Sequence, residues 1–144
     1  LIEVEPKGGL PLVDKEFYVG QSDWYLSDQI VTNPEIEVGY YDVDLAKASN
    51  EFPVTLYTFN GHTQALGGIH KLQAMQNDKV RFFFVTGGPN VTSNWHIIGA
   101  IFDRVYKGDP ATQYRERSEE TIAVPPGSAA VFELTASVPG DFLI

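Results

Sequence analysis

The run from Lys79 to Lys107, KVRFFFVTGGPNVTSNWHIIGAIFDRVYK, constrains this chain more than any other stretch. Val80 to Val85 is apolar at five of six positions. An amphipathic helix does not read that way, and neither does a half-exposed strand; a strand buried between two layers does. The run breaks at Gly87-Gly88-Pro89-Asn90, a turn signal. A second apolar run, Ile97 to Tyr106, reads as the next strand, with Gly99 and Ala100 leaving room for close packing. His96 stands at its entry, just after polar Ser93 and Asn94. A histidine between a loop and a strand is held firmly and can still reach a cleft, where an imidazole serves as metal ligand or proton carrier. The plainer reading is a hydrogen-bonded core histidine.

The rest of the chain repeats the pattern of short apolar runs parted by Gly, Pro, Asn and Asp. Phe17 to Leu26, Thr55 to Phe59, His70 to Met75, Thr121 to Val124 and Ser128 to Ala136 read as strands. Asn33 to Tyr41 is irregular. Asp42 to Asn50 reads as a short helix behind an Asp cap. Gly108 to Glu120 is polar and reads as an exposed loop. Val138-Pro139-Gly140-Asp141 turns toward a last strand. About eight strands in a chain of 144 residues predict an all-β, two-sheet Greek-key sandwich with at most one short helix. Residues 1–14 read as a strand end and linker, and residues 15–144 as the domain, its last strand cut short. Both ends read as abrupt.

Composition removes several functions. There is no cysteine, hence no disulfide, thiolate nucleophile or blue-copper site within these residues. A formal net charge of -9 disfavours nucleic acid and anionic membranes. No apolar run approaches the roughly 18 residues of a membrane span.

His62, His70 and His96 share no spacing of two or four, so no local metal-binding pair exists. His62 and His70 read as solvated surface residues. Asn90-Val91-Thr92 matches the glycosylation acceptor pattern, which is common by chance. The paired glycines at 8–9 and 67–68 open no helix and so cradle no phosphate.

Four strings, LIEVEPKGGLPLVDKEFYV, FNGHTQALGGIHKLQA, VRFFFVTGGPNVTSNWHIIGAIFDRVY and TIAVPPGSAAVFELTASVPGDF, occur in that order between Leu1 and Phe142. Together they resemble the second, C-terminal cupredoxin domain of copper-containing nitrite reductases. Leu26 to Val54 matches only loosely. Trp95 stands where an apolar or aromatic residue is usual, and Ala100 follows the motif's glycine.

The resemblance implies a cupredoxin-like sandwich and a part in reducing nitrite to nitric oxide. It implies type 1 and type 2 copper in the complete enzyme, the first cupredoxin domain as partner, neighbouring subunits in a homotrimer, and a small electron-donor protein. It implies a periplasmic or extracytoplasmic location. His96 falls on the family's proton-delivering histidine, and Ile98 on the apolar residue that crowds the nitrite position. The family's type 2 copper histidine from this domain is expected just beyond Ile144, and its type 1 ligands outside these residues. The segment would then hold no copper ligand and would not catalyse alone. The alternatives are a domain of a related multicopper oxidase, against which the lack of any His-X-His pair counts, and a noncatalytic β-sandwich used for assembly.

Overall fold

The computed structural model describes residues 4–31, 40–50, 53–107 and 116–144. It contains strands β1 (Lys15–Trp24), β2 (Leu26–Val31), β3 (Tyr40–Val43), β4 (Leu56–Phe59), β5 (Lys79–Gly88), β6 (Ser93–His96), β7 (Arg104–Lys107), β8 (Thr121–Val124) and β9 (Ala129–Thr135), with one short helix, α1 (Leu45–Ser49). Five strands form the main sheet in the order β4-β1-β5-β9-β7. β1 runs parallel to β5, and the other pairs are antiparallel. β6 and β8 form a small second sheet, and β2 and β3 a third. The all-β expectation with one short helix holds.

The core lies between the main sheet and the β6–β8 pair. Alternation sends Phe82 and Phe84 of β5, Val19 of β1 and Phe132 of β9 to the inner face. Trp95 of β6 and Ile122 and Val124 of β8 meet them from the other layer. The Trp95 ring lies 4.1 Å from Phe84, 5.8 Å from Phe82, 5.9 Å from Phe132 and 6.4 Å from Phe59, centroid to centroid. Its indole Nε1 is buried without a hydrogen-bond partner. That omission costs about 1–3 kcal/mol. Contacts with four aromatic rings, each worth about 0.5–1.5 kcal/mol beyond area burial, outweigh it.

Arg81, Phe83 and Glu133 lie on the opposite face of the main sheet, and they are buried as well. Arg81 Nε and Nη2 donate to Glu133 Oε1 at 2.9 and 2.7 Å. Nη1 donates to Glu16 Oε1 at 2.5 Å, and Nη2 also donates to the carbonyl of Pro11. Tyr106 Oη donates to Glu133 Oε2 at 3.2 Å. Burial alone would lower the Arg81 pKa, but the Glu133 and Glu16 carboxylates reverse that and leave it raised. This network holds the segment before β1 against the sheet.

Several local expectations are corrected. Ile97 to Tyr106 is not one strand. The Ala100 amide donates to the Ile97 carbonyl at 3.0 Å, closing a turn in which Gly99 takes φ +88°, and β7 starts only at Arg104. His96 therefore ends a strand rather than entering one. His70 to Met75 is no strand: Gly68–His70 form a 3-10 turn, with the His70 amide on the Gly67 carbonyl. Tyr40–Val43 is strand, and the helix starts at Leu45 because Asp44 Oδ1 accepts from the Lys47 amide at 2.9 Å and caps it there. The run Phe17 to Leu26 divides at Tyr25 into β1 and β2. Residues 141–144 form no assigned strand. The irregular stretch 33–41 and the polar loop 108–120 fall largely outside the described residues. Tyr40 and Tyr41, in β3, and residues 116–120 are described, and there Glu116 and Glu119 pair in isolated bridges with Val105 and Phe102.

Gly87 and Gly88 are part of β5, not a free turn. A Cβ on Gly87 would lie 2.9 Å from Ser22 Oγ, and one on Gly88, at φ +76°, 2.8 Å from Pro126 Cβ. Close packing explains the glycine pair.

Two stability outcomes follow. Arg81→Leu leaves the buried Glu133 carboxylate with only the Tyr106 hydroxyl at 3.2 Å and a long 3.5 Å contact to Arg104, and is expected to cost about 3–5 kcal/mol in chemical denaturation, with much of that recovered in Arg81→Leu/Glu133→Leu. Trp95→Ala is expected to cost about 3–5 kcal/mol in the same assay.

Candidate functional site

The site is built on the β6–β8 pair. Trp95 is opposite Ile122, and His96 opposite Thr121. Since neighbouring side chains on a strand point to opposite faces, the burial of Trp95 at 2% exposure turns His96 away from the core. The imidazole is half-buried on the outer side of the small sheet.

Its orientation is fixed by the neighbouring strand. Nδ1 lies 2.7 Å from the Glu120 carbonyl oxygen and 3.1 Å from Thr121 Oγ1. A carbonyl can only accept, so Nδ1 carries a proton and donates it to Glu120. The neutral ring is then the Nδ1–H tautomer, with its lone pair on Nε2. A proton gained or lost by His96 enters or leaves at Nε2, which has no hydrogen-bond partner among the described residues. Sequence reasoning singled out His96 but missed Glu120 and Thr121, because the register of β6 against β8 is a tertiary fact that no local motif records.

Ile98 follows two residues later, in the turn after β6. It is 57% exposed. An isoleucine so open does not fill the core; it lies exposed in the turn that follows the strand end carrying His96. Ile101 and Phe142 extend the exposed apolar surface of the same region. The Ile98 amide donates to the Leu143 carbonyl at 2.9 Å, joining residues 142–144 to the turn.

The other histidines stand apart. His62 is exposed, and its Nδ1 accepts from the Gln64 amide at 3.1 Å. His70 ends the exposed 3-10 turn. Among the described residues, no three His, Asp or Glu side chains converge on a metal-sized site. The donor set among the described residues does not by itself fit a copper centre.

The Asn90 side chain, in the glycosylation-like triplet, is engaged within the fold. Its Nδ2 donates to the Ala48 carbonyl at 2.7 Å and to Tyr25 Oη at 3.0 Å, and its backbone amide donates to Asp23 Oδ2 at 3.1 Å. Burial raises the Tyr25 hydroxyl pKa, against the lowering effect of the Asn90 bond. This knot ties the β5–β6 connection to β1 and α1.

Copper-containing nitrite reductase from Neisseria meningitidis serogroup A is 40% identical over 144 residues, which is all of this chain and 35% of that protein. The Neisseria gonorrhoeae protein of the same name is 39% identical over the same span. The chain is homologous, along its whole length, to one part of copper-containing nitrite reductases. It spans about a third of the length of these curated relatives. Among solved structures, a copper nitrite reductase from Nitrosomonas europaea aligns with TM-score 0.67 and 29% identity over 91% of this chain and 42% of that one. A Cu-containing nitrite reductase from Thermus scotoductus aligns with TM-score 0.71 at 23% identity, over 91% of this chain and 26% of that one. A multicopper oxidase aligns with TM-score 0.67 at 20% identity, over 96% of this chain and 40% of that one. The last two speak for a shared cupredoxin-like fold alone. No family model matches the chain. No described helix is long and apolar enough to cross a membrane.

Nitrogen-15 NMR of the His96 ring is expected to show Nδ1 protonated and Nε2 bare in the neutral form. An Nε2–H tautomer would contradict the donor assignment to the Glu120 carbonyl.

Proposed function

We propose that this chain is the proton-delivering domain of a copper nitrite reductase, with His96 as the group that supplies protons to nitrite. The observation that supports this most strongly is the Nδ1 contact to the Glu120 carbonyl, which leaves Nε2 to exchange protons on the outward face of β6. Reduction of nitrite to nitric oxide and water takes two protons and one electron. The contribution of this chain is to the protons, and imidazole is the side chain whose unperturbed proton affinity suits neutral pH. Copper, held by residues other than those described, and the electron belong to the rest of the complete protein.

In this reading each residue has a task. Glu120 and Thr121 hold the ring in one tautomer and one orientation, so that no rotation is needed when the proton moves. Ile98 offers an apolar wall that limits water and restricts how a small anion can lie. The acidic net charge of -9 repels nitrite at long range, so its capture needs positive charge local to the site. The segment alone is expected to be inactive. Its partners would be a preceding cupredoxin domain, neighbouring subunits of a homotrimer and a small electron-donor protein, in a periplasmic setting.

The fold does not separate this reading from a multicopper oxidase domain or a noncatalytic sandwich. The 40% identity of the whole of this chain to one part of a copper-containing nitrite reductase favours the first. In the complete protein, His96→Ala is expected to lower kcat for nitrite by about 10²–10⁴-fold, the range of acid–base groups. Unchanged turnover in a copper-loaded, folded variant would remove His96 from the mechanism.

A further inference from the structure

We infer that Phe142 and Gly99 are positioning residues for the apolar wall at Ile98, acting as a clasp between residues 140–143 and the turn after β6. The inference rests on the reading of His96 and Ile98 as site residues, but it concerns how that site is held.

The clasp is visible in three observations. First, Gly99 takes φ +88° at the third position of the Ile97–Ala100 turn, a conformation that favours glycine. Second, the bare face of Gly99 is occupied: an added Cβ would lie 3.4 Å from Phe142 Cε1 and 3.5 Å from Cδ1. The other edge of the same ring faces Gly140, where an added Cβ would lie 3.8 Å from Cε2 and 4.0 Å from Cζ. The phenyl ring is thus bracketed by two glycines. It is 40% exposed, so filling the core is not its purpose. Third, the residue after Phe142 accepts from Ile98: Leu143 O to Ile98 N is 2.9 Å. The ring contact and the backbone bond together tie Ile98 and Gly99 of the turn to residues 142 and 143. The Lys71–Asp141 ion pair at 3.1 Å is 50% and 84% exposed, and such pairs contribute little.

His96 has a separate anchor, since its ring is held by Glu120 and Thr121 on β8. Loosening the clasp therefore moves the wall and leaves the imidazole in place. A displaced wall weakens the confinement of a small anion, while the proton donor remains intact. The expected signature is a rise in KM with kcat nearly preserved, the reverse of what loss of His96 predicts.

The test uses the complete, copper-loaded protein and nitrite. In Phe142→Ala, amide exchange at Ile98 is expected to quicken about tenfold while that of Phe84 in β5 is unchanged. KM for nitrite is expected to rise about tenfold, with kcat within about twofold. Phe142→Tyr keeps the ring and should restore both readouts. Gly99→Ala, which crowds the ring from the other partner, should raise KM in the same direction; it and Phe142→Leu serve if the alanine variant does not fold. Unchanged Ile98 exchange, unchanged KM, a fall in kcat at constant KM, or failure of Phe142→Tyr to restore function would each overturn the clasp. If His96→Ala leaves turnover intact while Ile98 exchange still responds to Phe142, the proton-delivery reading has failed and the structural clasp has not.

Discussion

One side chain sets the geometry of the second layer. Trp95 is drawn inward by four aromatic neighbours, and a strand that buries residue 95 must turn residue 96 outward. A slip of one residue between β6 and β8 would put an imidazole among Phe82, Phe84 and Phe132, at the cost of burying its polar nitrogens. The hydrophobic demand of the core therefore carries His96 to the outer face. The register that pairs it with Thr121 also brings the Glu120 carbonyl to Nδ1. Packing comes first in this molecule, and the orientation of the His96 ring follows from it.

The main sheet is buried on both faces by different means. One face is aromatic and dry. The other carries the Arg81–Glu133–Glu16 network, which engages the Pro11 carbonyl and so fastens the segment before β1. A buried ion pair adds little net stability over an apolar pair of the same volume, yet it is costly to break by halves. Its clearer consequence here is geometric: three elements distant in sequence meet at one guanidinium.

The sequence revealed the all-β class because Val80 to Val85 has no other good reading, and Val80, Phe82 and Phe84 of that run are in the core. It revealed His96 as a residue apart, through the polar entry Ser93-Asn94. It misjudged the far side of that histidine. Ile97 to Tyr106 looked like one strand because Phe102, Val105 and Tyr106 are all buried, and burial does not distinguish a strand from a turn that folds back on the core. Gly99 was visible as a small residue, but its positive φ and its contact with Phe142, 43 positions away in the sequence, belong to the tertiary fold. The carbonyl of Glu120 was invisible for the same reason. Residues that perform chemistry leave a local trace more readily than the backbone atoms that aim them.

The fold is shared with multicopper oxidases, so architecture cannot carry the functional claim; the aim of one nitrogen does. A crystal of the complete protein soaked in nitrite tests that aim most directly. Nitrite is expected within hydrogen-bond reach of His96 Nε2, about 2.6–3.2 Å or through one water, with Nδ1 still on the Glu120 carbonyl. Nitrite bound in order elsewhere, with Nε2 facing only protein or bulk solvent, would contradict it.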